Sequence, residues 1–303
     1  MLLWAARNRW LKERLPRFRW VRRATRRFMP GETAGDALAA AVVHQAWGVD
    51  GVFTLLGENL AEPSEAQVVA DGYHTLLDEI AARGLDVEIS LKLTQLGFDL
   101  DETVAMEHFE SLARHAAETG SWAWIDMEGS AYTGATIAFY ERARARHANV
   151  GICLQAYLHR TPTDVQRLLA IRPAIRLVKG AYDEPRAIAY RSRPEVDGAF
   201  LALSAQLLEA VRDDRARFVA ATHDIALIER MTRVGAAVGL SPGQMEIQML
   251  YGVRTDQQRR LAKAGYDVRA LIAYGSAWYP WYMRRLAERP ANVWFALRQA
   301  LPW

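Results

Sequence analysis

The sequence predicts an α/β fold: a (β/α)₈ TIM barrel preceded by an N-terminal helical arm. Three observations predict it. Short apolar runs rich in β-branched residues alternate with longer helical runs from about residue 30. Eight such runs occupy roughly 250 residues, the usual span of a closed eight-stranded barrel. Polar residues collect where the runs end, and barrels build their sites at the C-terminal ends of their strands.

The elements follow in order. MPGETAGDALAAAVVHQAWG opens a helix for which Thr33 is the expected cap. GVFTLLG is the first strand, ending at Gly57, and SEAQVVADGYHTLLDEIAARG is a helix closed by Gly84. VEISLKLTQLG is the second strand, followed by a helix from about Glu102 to Thr119. WAWIDMEGS, NVGICLQAYLHR and AIRLVKGAY are strands three to five, separated by a helix through Tyr140 and the short helix TPTDVQRLLA. A helix spans about Gly198 to Asp213, and RFVAATHD, QMEIQMLYG and VRALIAYGS complete the strands. The last helix starts near Pro280. Parallel strands need crossovers of this length, and their near-continuous apolar cores suit a sheet covered on both faces. An open doubly wound sheet is the alternative, but no GxGxxG follows the first strand. The expected division is an arm over 1–40 and a catalytic barrel over 41–303.

The strand ends carry the candidate chemistry. Lys92, Thr94 and Gln95 end strand two, and Asp126 and Glu128 end strand three. Gln155, Tyr157, His159 and Arg160 end strand four; Arg176, Lys179 and Tyr182 belong to strand five and its exit. Thr222, His223 and Asp224 end strand six; Glu246, Gln248, Tyr251 and Arg254 line strand seven; Tyr274 and Ser276 end strand eight. So many polar groups in one barrel mouth point to an enzyme, because burying them is costly unless they are satisfied or used. Arg176 and Lys179 are candidates to pair with Asp126 or Glu128. Those two acids also allow acid–base work or a divalent ion, and His223 reads equally as a satisfied core histidine. In the last helix Arg284 and Arg285 lie four and three residues before Glu288, which can hold either. Two guanidinium forks suit a small carboxylate.

Composition excludes other classes. Of 303 residues, 51% are apolar and 24% charged, which is a folded protein rather than a disordered one. The lone Cys153 permits no intramolecular disulfide and reads as a small buried hydrophobe. The net charge of +3 is unevenly placed: residues 1–28 hold ten Lys/Arg and one acid, so the remainder is net negative. No basic stripe follows a phosphate backbone, which argues against nucleic acid. No uninterrupted apolar run is long enough to span a bilayer, so cytoplasmic is the default expectation. The arm mixes Trp4, Trp10, Phe18, Trp20 and Phe28 with arginines. That composition suits either a packed first helical layer or contact with anionic lipid.

LKLTQLG, WIDMEGS, LQAYL, RLVKGAYDEP, ATHD, EIQMLYGVR and YGSAWYPWYMRRLAERPANV, in that order, resemble the proline dehydrogenases. The similarity covers roughly Arg26 to Trp294. It implies a distorted (β/α)₈ barrel that holds FAD non-covalently at its strand ends. It also implies oxidation of L-proline to Δ¹-pyrroline-5-carboxylate, with electrons passed to a membrane quinone. By the resemblance Arg284 and Arg285 bind the proline carboxylate, Glu288 orients them, and Lys92 contacts the same carboxylate. Asp126 is its acidic neighbour, Tyr274 packs against the substrate ring, and Leu177 and Tyr182 supply apolar floor and walls. Arg176 corresponds to the arginine near flavin N5 and Gln155 to the group at the pyrimidine edge. Lys179, Gly180, Thr222, His223 and Gln248 match ribityl, phosphate or adenosine positions, and no metal is implied.

A quinone acceptor gives the arm a role as a peripheral contact on the inner face of the cytoplasmic membrane. With the sequence ending at Trp303, a separate pyrroline-5-carboxylate (glutamate semialdehyde) dehydrogenase is the expected partner. A hydroxyproline dehydrogenase is disfavoured by the bulk of Tyr274. The remaining rivals are a metal-dependent barrel around Asp126, Glu128 and His223, and a non-enzymatic membrane-surface binder.

Overall fold

The computed structural model describes residues 25, 27–57, 60, 62–279 and 281–283. Eight strands close into one parallel barrel in sequence order: β1 (Asp50–Leu55), β2 (Val87–Leu91), β3 (Ala123–Ile125), β4 (Val150–Gln155), β5 (Ala174–Val178), β6 (Arg217–Ala221), β7 (Glu246–Leu250) and β8 (Asp267–Tyr274). Closure is the pairing of β8 with β1, from Asp50 opposite Arg269 to Leu55 opposite Tyr274. The alternation predicted from sequence is therefore the fold. Helices α1 (Ala34–Gln45), α2 (Pro63–Ala82), α3 (Glu102–Glu118), α4 (Thr133–Arg144), α5 (Thr161–Leu168), α6 (Arg193–Arg212), α7 (Ile225–Ala237) and α8 (Thr255–Lys263) alternate with the strands. Residues 278–279 and 281–283 are helical after β8.

Local chemistry explains the boundaries. Thr33 caps α1 as expected: its hydroxyl accepts from the Asp36 amide at 3.1 Å while Asp36 accepts from the Thr33 amide at 3.0 Å. Helix α6 begins five residues earlier than its apolar pattern indicates. The Ser192–Glu195 capping box and Pro194 in the first turn set its start. The second strand stops at Leu91, and its expected continuation, Leu93–Leu96, is a 3₁₀ turn that swings Lys92 and Gln95 over the barrel end.

The main core lies between the barrel and the helices. It takes the outward residues of the strands, such as Ile89, Ile125, Ile152, Leu177 and Ile247, with Tyr73, Leu77, Phe109, Phe139 and Phe200 from the helices. The barrel lumen, by contrast, is rich in polar groups. A second cluster joins Phe28 and Met29 to Trp278, Tyr279, Trp281, Tyr282 and Met283, so the segment before α1 packs on the helix after β8. Gly252 is required at that junction. It sits at φ +70°, and a Cβ there would overlap the Arg27 carbonyl oxygen. Helix α1 spans the residue-40 division expected from sequence, and residues 1–24 of the arm lie outside the described residues.

Candidate active site

Arg176 occupies the centre of the barrel mouth. Strand alternation turns it inward on β5, where its Nη2 donates to Ser90 Oγ at 2.7 Å and pairs with Asp126. Ser90 Oγ in turn donates to Asp126 Oδ1 at 2.9 Å. The guanidinium lies 5.2 Å from the ring of Trp124, and its Nη1 donates to Gln248 Oε1 at 3.4 Å. Burial works against this cation, but Asp126 and the Cys153 thiol outweigh it and raise its pKa above the usual arginine value. The result is a permanent buried positive charge. Asp126 is the more open partner, with 22% of its side chain exposed against 2% for Arg176.

Gln155 ends β4 and is buried. Its Nε2 donates to the Glu128 backbone carbonyl at 3.0 Å, while its Oε1 is buried without a hydrogen-bond partner. The Glu128 carboxylate accepts from Thr94 Oγ1 at 3.0 Å. Across the mouth Lys179 pairs with Asp197 and, at 3.1 Å, with Asp224. Arg193 reaches Asp224 at 2.7 Å. Burial pushes the Asp224 carboxyl up, but its hydrogen bonds from Arg193 and Lys179 prevail and hold it at about 2. Asp224 also caps α7. Gly180 sits at φ +118°, where a Cβ would overlap the Tyr157 ring, so this loop closes onto β4 only as glycine.

The floor of the barrel carries a second charged layer. Arg217 donates to Glu88 at 2.6 Å and to Glu246 at 2.9 Å, and Arg269 reaches Asp86 at 2.7 Å and Glu246 at 3.5 Å. Trp124 Nε1 donates to Glu88 at 2.6 Å. Burial pushes Glu246 up to about 7, with Glu88 adding to the shift and Arg217 and Arg269 opposing it.

A family model for proline dehydrogenase matches residues 38–298. Proline dehydrogenase 1 of Bacillus subtilis (strain 168) is 35% identical over 283 residues, covering 93% of this chain and 92% of that protein. The proline dehydrogenase of Deinococcus radiodurans is 34% identical over 280 residues, with 91% and 89% covered. The chain belongs to the proline dehydrogenase family.

Proline oxidation is the activity that membership carries. Among solved structures, proline utilization A (PutA) from Bdellovibrio bacteriovorus superposes with a TM-score of 0.81 at 22% identity, covering 88% of this chain. PutA from Bradyrhizobium japonicum gives 0.76 at 20% identity. These likenesses concern the fold, and the chain spans about a third of either PutA.

Several residues singled out in the sequence meet in the structure. Arg176, Asp126 and Gln248 form one contact set, and Lys179 joins Asp224, the neighbour of Thr222 and His223. Of the pairings considered for Arg176 and Lys179 with Asp126 or Glu128, that of Arg176 with Asp126 forms, while Lys179 takes Asp197 and Asp224. Lys92 and Tyr182 are half-buried at the rim. Tyr274 is buried edge-on against Phe53, 6.4 Å between centroids. Leu177 alternates with Arg176 and packs in the main core on the other face of β5.

Arg284, Arg285 and Glu288 lie outside the described residues. Glu246 needs correction, because it starts β7 and faces the floor rather than the mouth. Among the described residues no cluster of three or more His, Cys, Asp or Glu could hold a metal ion. Sequence reasoning missed Ser90 and the floor residues Glu88, Arg217 and Arg269. Their inward period-two placement on β2, β6 and β8 was the available signal.

Proposed function

We propose that the mouth of this barrel binds FAD non-covalently and oxidises L-proline to Δ¹-pyrroline-5-carboxylate, with the electrons passing to a membrane quinone. The observation that carries this reading is the Gln155 carboxamide, buried with its oxygen lacking a partner. Such an orphan acceptor costs about 1–3 kcal/mol. The pyrimidine edge of an isoalloxazine carries the N–H that would satisfy it, so the residues present fit a flavin. Gln155 would hold that edge, and Arg176 would lie toward the redox-active side. Lys179, Gly180, Thr222, His223 and Gln248 would hold the ribityl, phosphate and adenosine parts. When bound, FAD supplies the acceptor for the hydride that leaves the ring carbon next to nitrogen.

The chain's own part is positioning and charge. Arg284 and Arg285, aligned by Glu288 and joined by Lys92, clamp the proline carboxylate, which removes the rotational freedom of a small substrate. Asp126 keeps Arg176 in place, and Tyr182 limits the room around the pyrrolidine ring. With the nitrogen already free of its ammonium proton, its lone pair forms the C=N bond as C5 gives up hydride, and the resulting iminium releases a proton to solvent. A fixed cation at Arg176 favours the site's more negative reduced state. The basic aromatic segment 1–28 would bring the barrel to the inner face of the cytoplasmic membrane, where a quinone is available. A separate pyrroline-5-carboxylate dehydrogenase would take the product onward. Among the described residues no helix is long and apolar enough to cross a membrane.

The test is the visible spectrum of purified protein before and after anaerobic L-proline. Flavin absorption that bleaches with L-proline, and not with D-proline or hydroxyproline, is expected. Folded, FAD-reconstituted protein that retains no flavin would overturn the reading.

A further inference from the structure

Gln248 bridges two layers of the barrel lumen. Its Nε2 donates to Glu246 Oε1 on the floor at 3.1 Å, and its Oε1 accepts from Arg176 Nη1 at the mouth at 3.4 Å. Gln248 and Arg176 are both 2% exposed, and the contact between them is direct. The two ends of a carboxamide have nearly the same shape, and only their partners decide which end faces where. Glu246 is anchored by Arg217, whose Nε donates to it at 2.9 Å. Above the pKa of about 7 to which burial pushes it, the Glu246 carboxylate only accepts, so it draws the Gln248 amino group downward and leaves the amide oxygen facing Arg176. Reversed, the amide would aim N–H groups at a buried guanidinium, where low local dielectric makes the repulsion costly.

The geometry of Arg176 makes this contact matter. Ser90 and Asp126 both engage Nη2, whereas Gln248 engages Nη1. Without the amide oxygen, Nη1 loses its acceptor, and the guanidinium keeps its Nη2 anchors with the looser contacts of Cys153 and the Trp124 ring. We propose that Glu246 is a positioning residue for the active site: it orients Gln248 and, through it, fixes the Arg176 guanidinium. This rests on the reading of Arg176 as the cation on the redox-active side of the flavin. Glu246 touches neither substrate nor cofactor in that reading, since it lies one layer below Gln248.

The experiment compares holoenzymes of the wild type, Glu246→Asp, Gln248→Met, the double variant and Arg176→Met. Aspartate keeps the charge opposite Arg217 and Arg269 but withdraws its oxygen from Gln248 by one methylene, which favours a folded protein. Two quantities are read: the midpoint potential of the bound flavin, and the limiting rate of anaerobic bleaching by proline. Glu246→Asp is expected to lower the potential and slow bleaching by about three- to tenfold, the worth of one buried hydrogen bond. The proline concentration giving half the limiting rate should stay unchanged.

If Glu246 acts through Gln248, the double variant matches Gln248→Met. Additive shifts in the double variant, or an unchanged potential in Glu246→Asp, would overturn the proposal while leaving the flavin reading intact, provided Arg176→Met moves the potential. An unmoved potential in Arg176→Met, which removes the cation, would overturn both.

Discussion

Trp278 Nε1 donates a 3.0 Å hydrogen bond to Glu32 Oε1, linking the helix after β8 to the loop before α1. Phe28 and Tyr282 reinforce this clasp, their rings 6.0 Å apart. The clasped helix leads in sequence into Arg284 and Arg285, so Glu32 and Phe28 brace the residues just before the proposed substrate clamp. Trp278→Phe keeps the ring packing and removes the donor. It should cost about 1 kcal/mol, lower Tm by roughly 2–4 °C, and raise KM for proline more than it changes kcat. Differential scanning calorimetry and steady-state kinetics check both, and an unchanged KM would show that the clasp is only structural.

Gly252→Ala attacks the same junction from the β7 side. The new methyl meets a backbone carbonyl at a left-handed position, so neither neighbour can simply rotate away. A loss of about 2 kcal/mol or more is expected, with faster proteolytic cleavage near residues 25–33. A Tm within a degree of the wild type would contradict it.

Acid stability has a defined contributor in Asp224. Its folded carboxyl is held near 2, below the usual carboxylate value, by Arg193 and Lys179. A depressed acid stabilises the fold fully above its unfolded pKa, and this contribution disappears as pH falls toward 2. Asp224→Asn should therefore flatten the stability profile between about pH 4 and pH 2. Urea unfolding at several pH values tests this, and parallel profiles for the two proteins would refute it.

The proposed reaction sets a pH dependence on the other side. Hydride can leave only from proline whose nitrogen has lost its ammonium proton, since the lone pair must form the C=N bond. The rate at subsaturating proline should rise from pH 6 toward pH 9, and a flat profile would remove this requirement.

Membrane contact by the arm predicts that full-length protein pellets with anionic liposomes and that protein lacking residues 1–24 does not. Raised salt should weaken the pelleting, because the attraction is largely electrostatic. Equal, negligible pelleting of both proteins would end the idea.

The sequence by itself determined the barrel, its strand order and the polar rim. Each of these is written in local periodicity: inward and outward residues alternate along a strand, helical stripes cover it, and caps such as Thr33 mark the joins. Ser192 shows the limit even there, because its capping box outweighed the apolar pattern that placed the start of α6 at Gly198. Only the tertiary structure decided which side chains meet across the lumen. Arg217 reaches Glu88 from 129 residues away, and Arg176 reaches Ser90 from 86. Lys179 chose Asp197 and Asp224 over the acids of strand three. Such pairings depend on strand stagger and on closure of β8 against β1, which set the height of each residue in the barrel. Neither is encoded in any one segment, so Glu246 reads as a mouth residue until the barrel closes and places it on the floor.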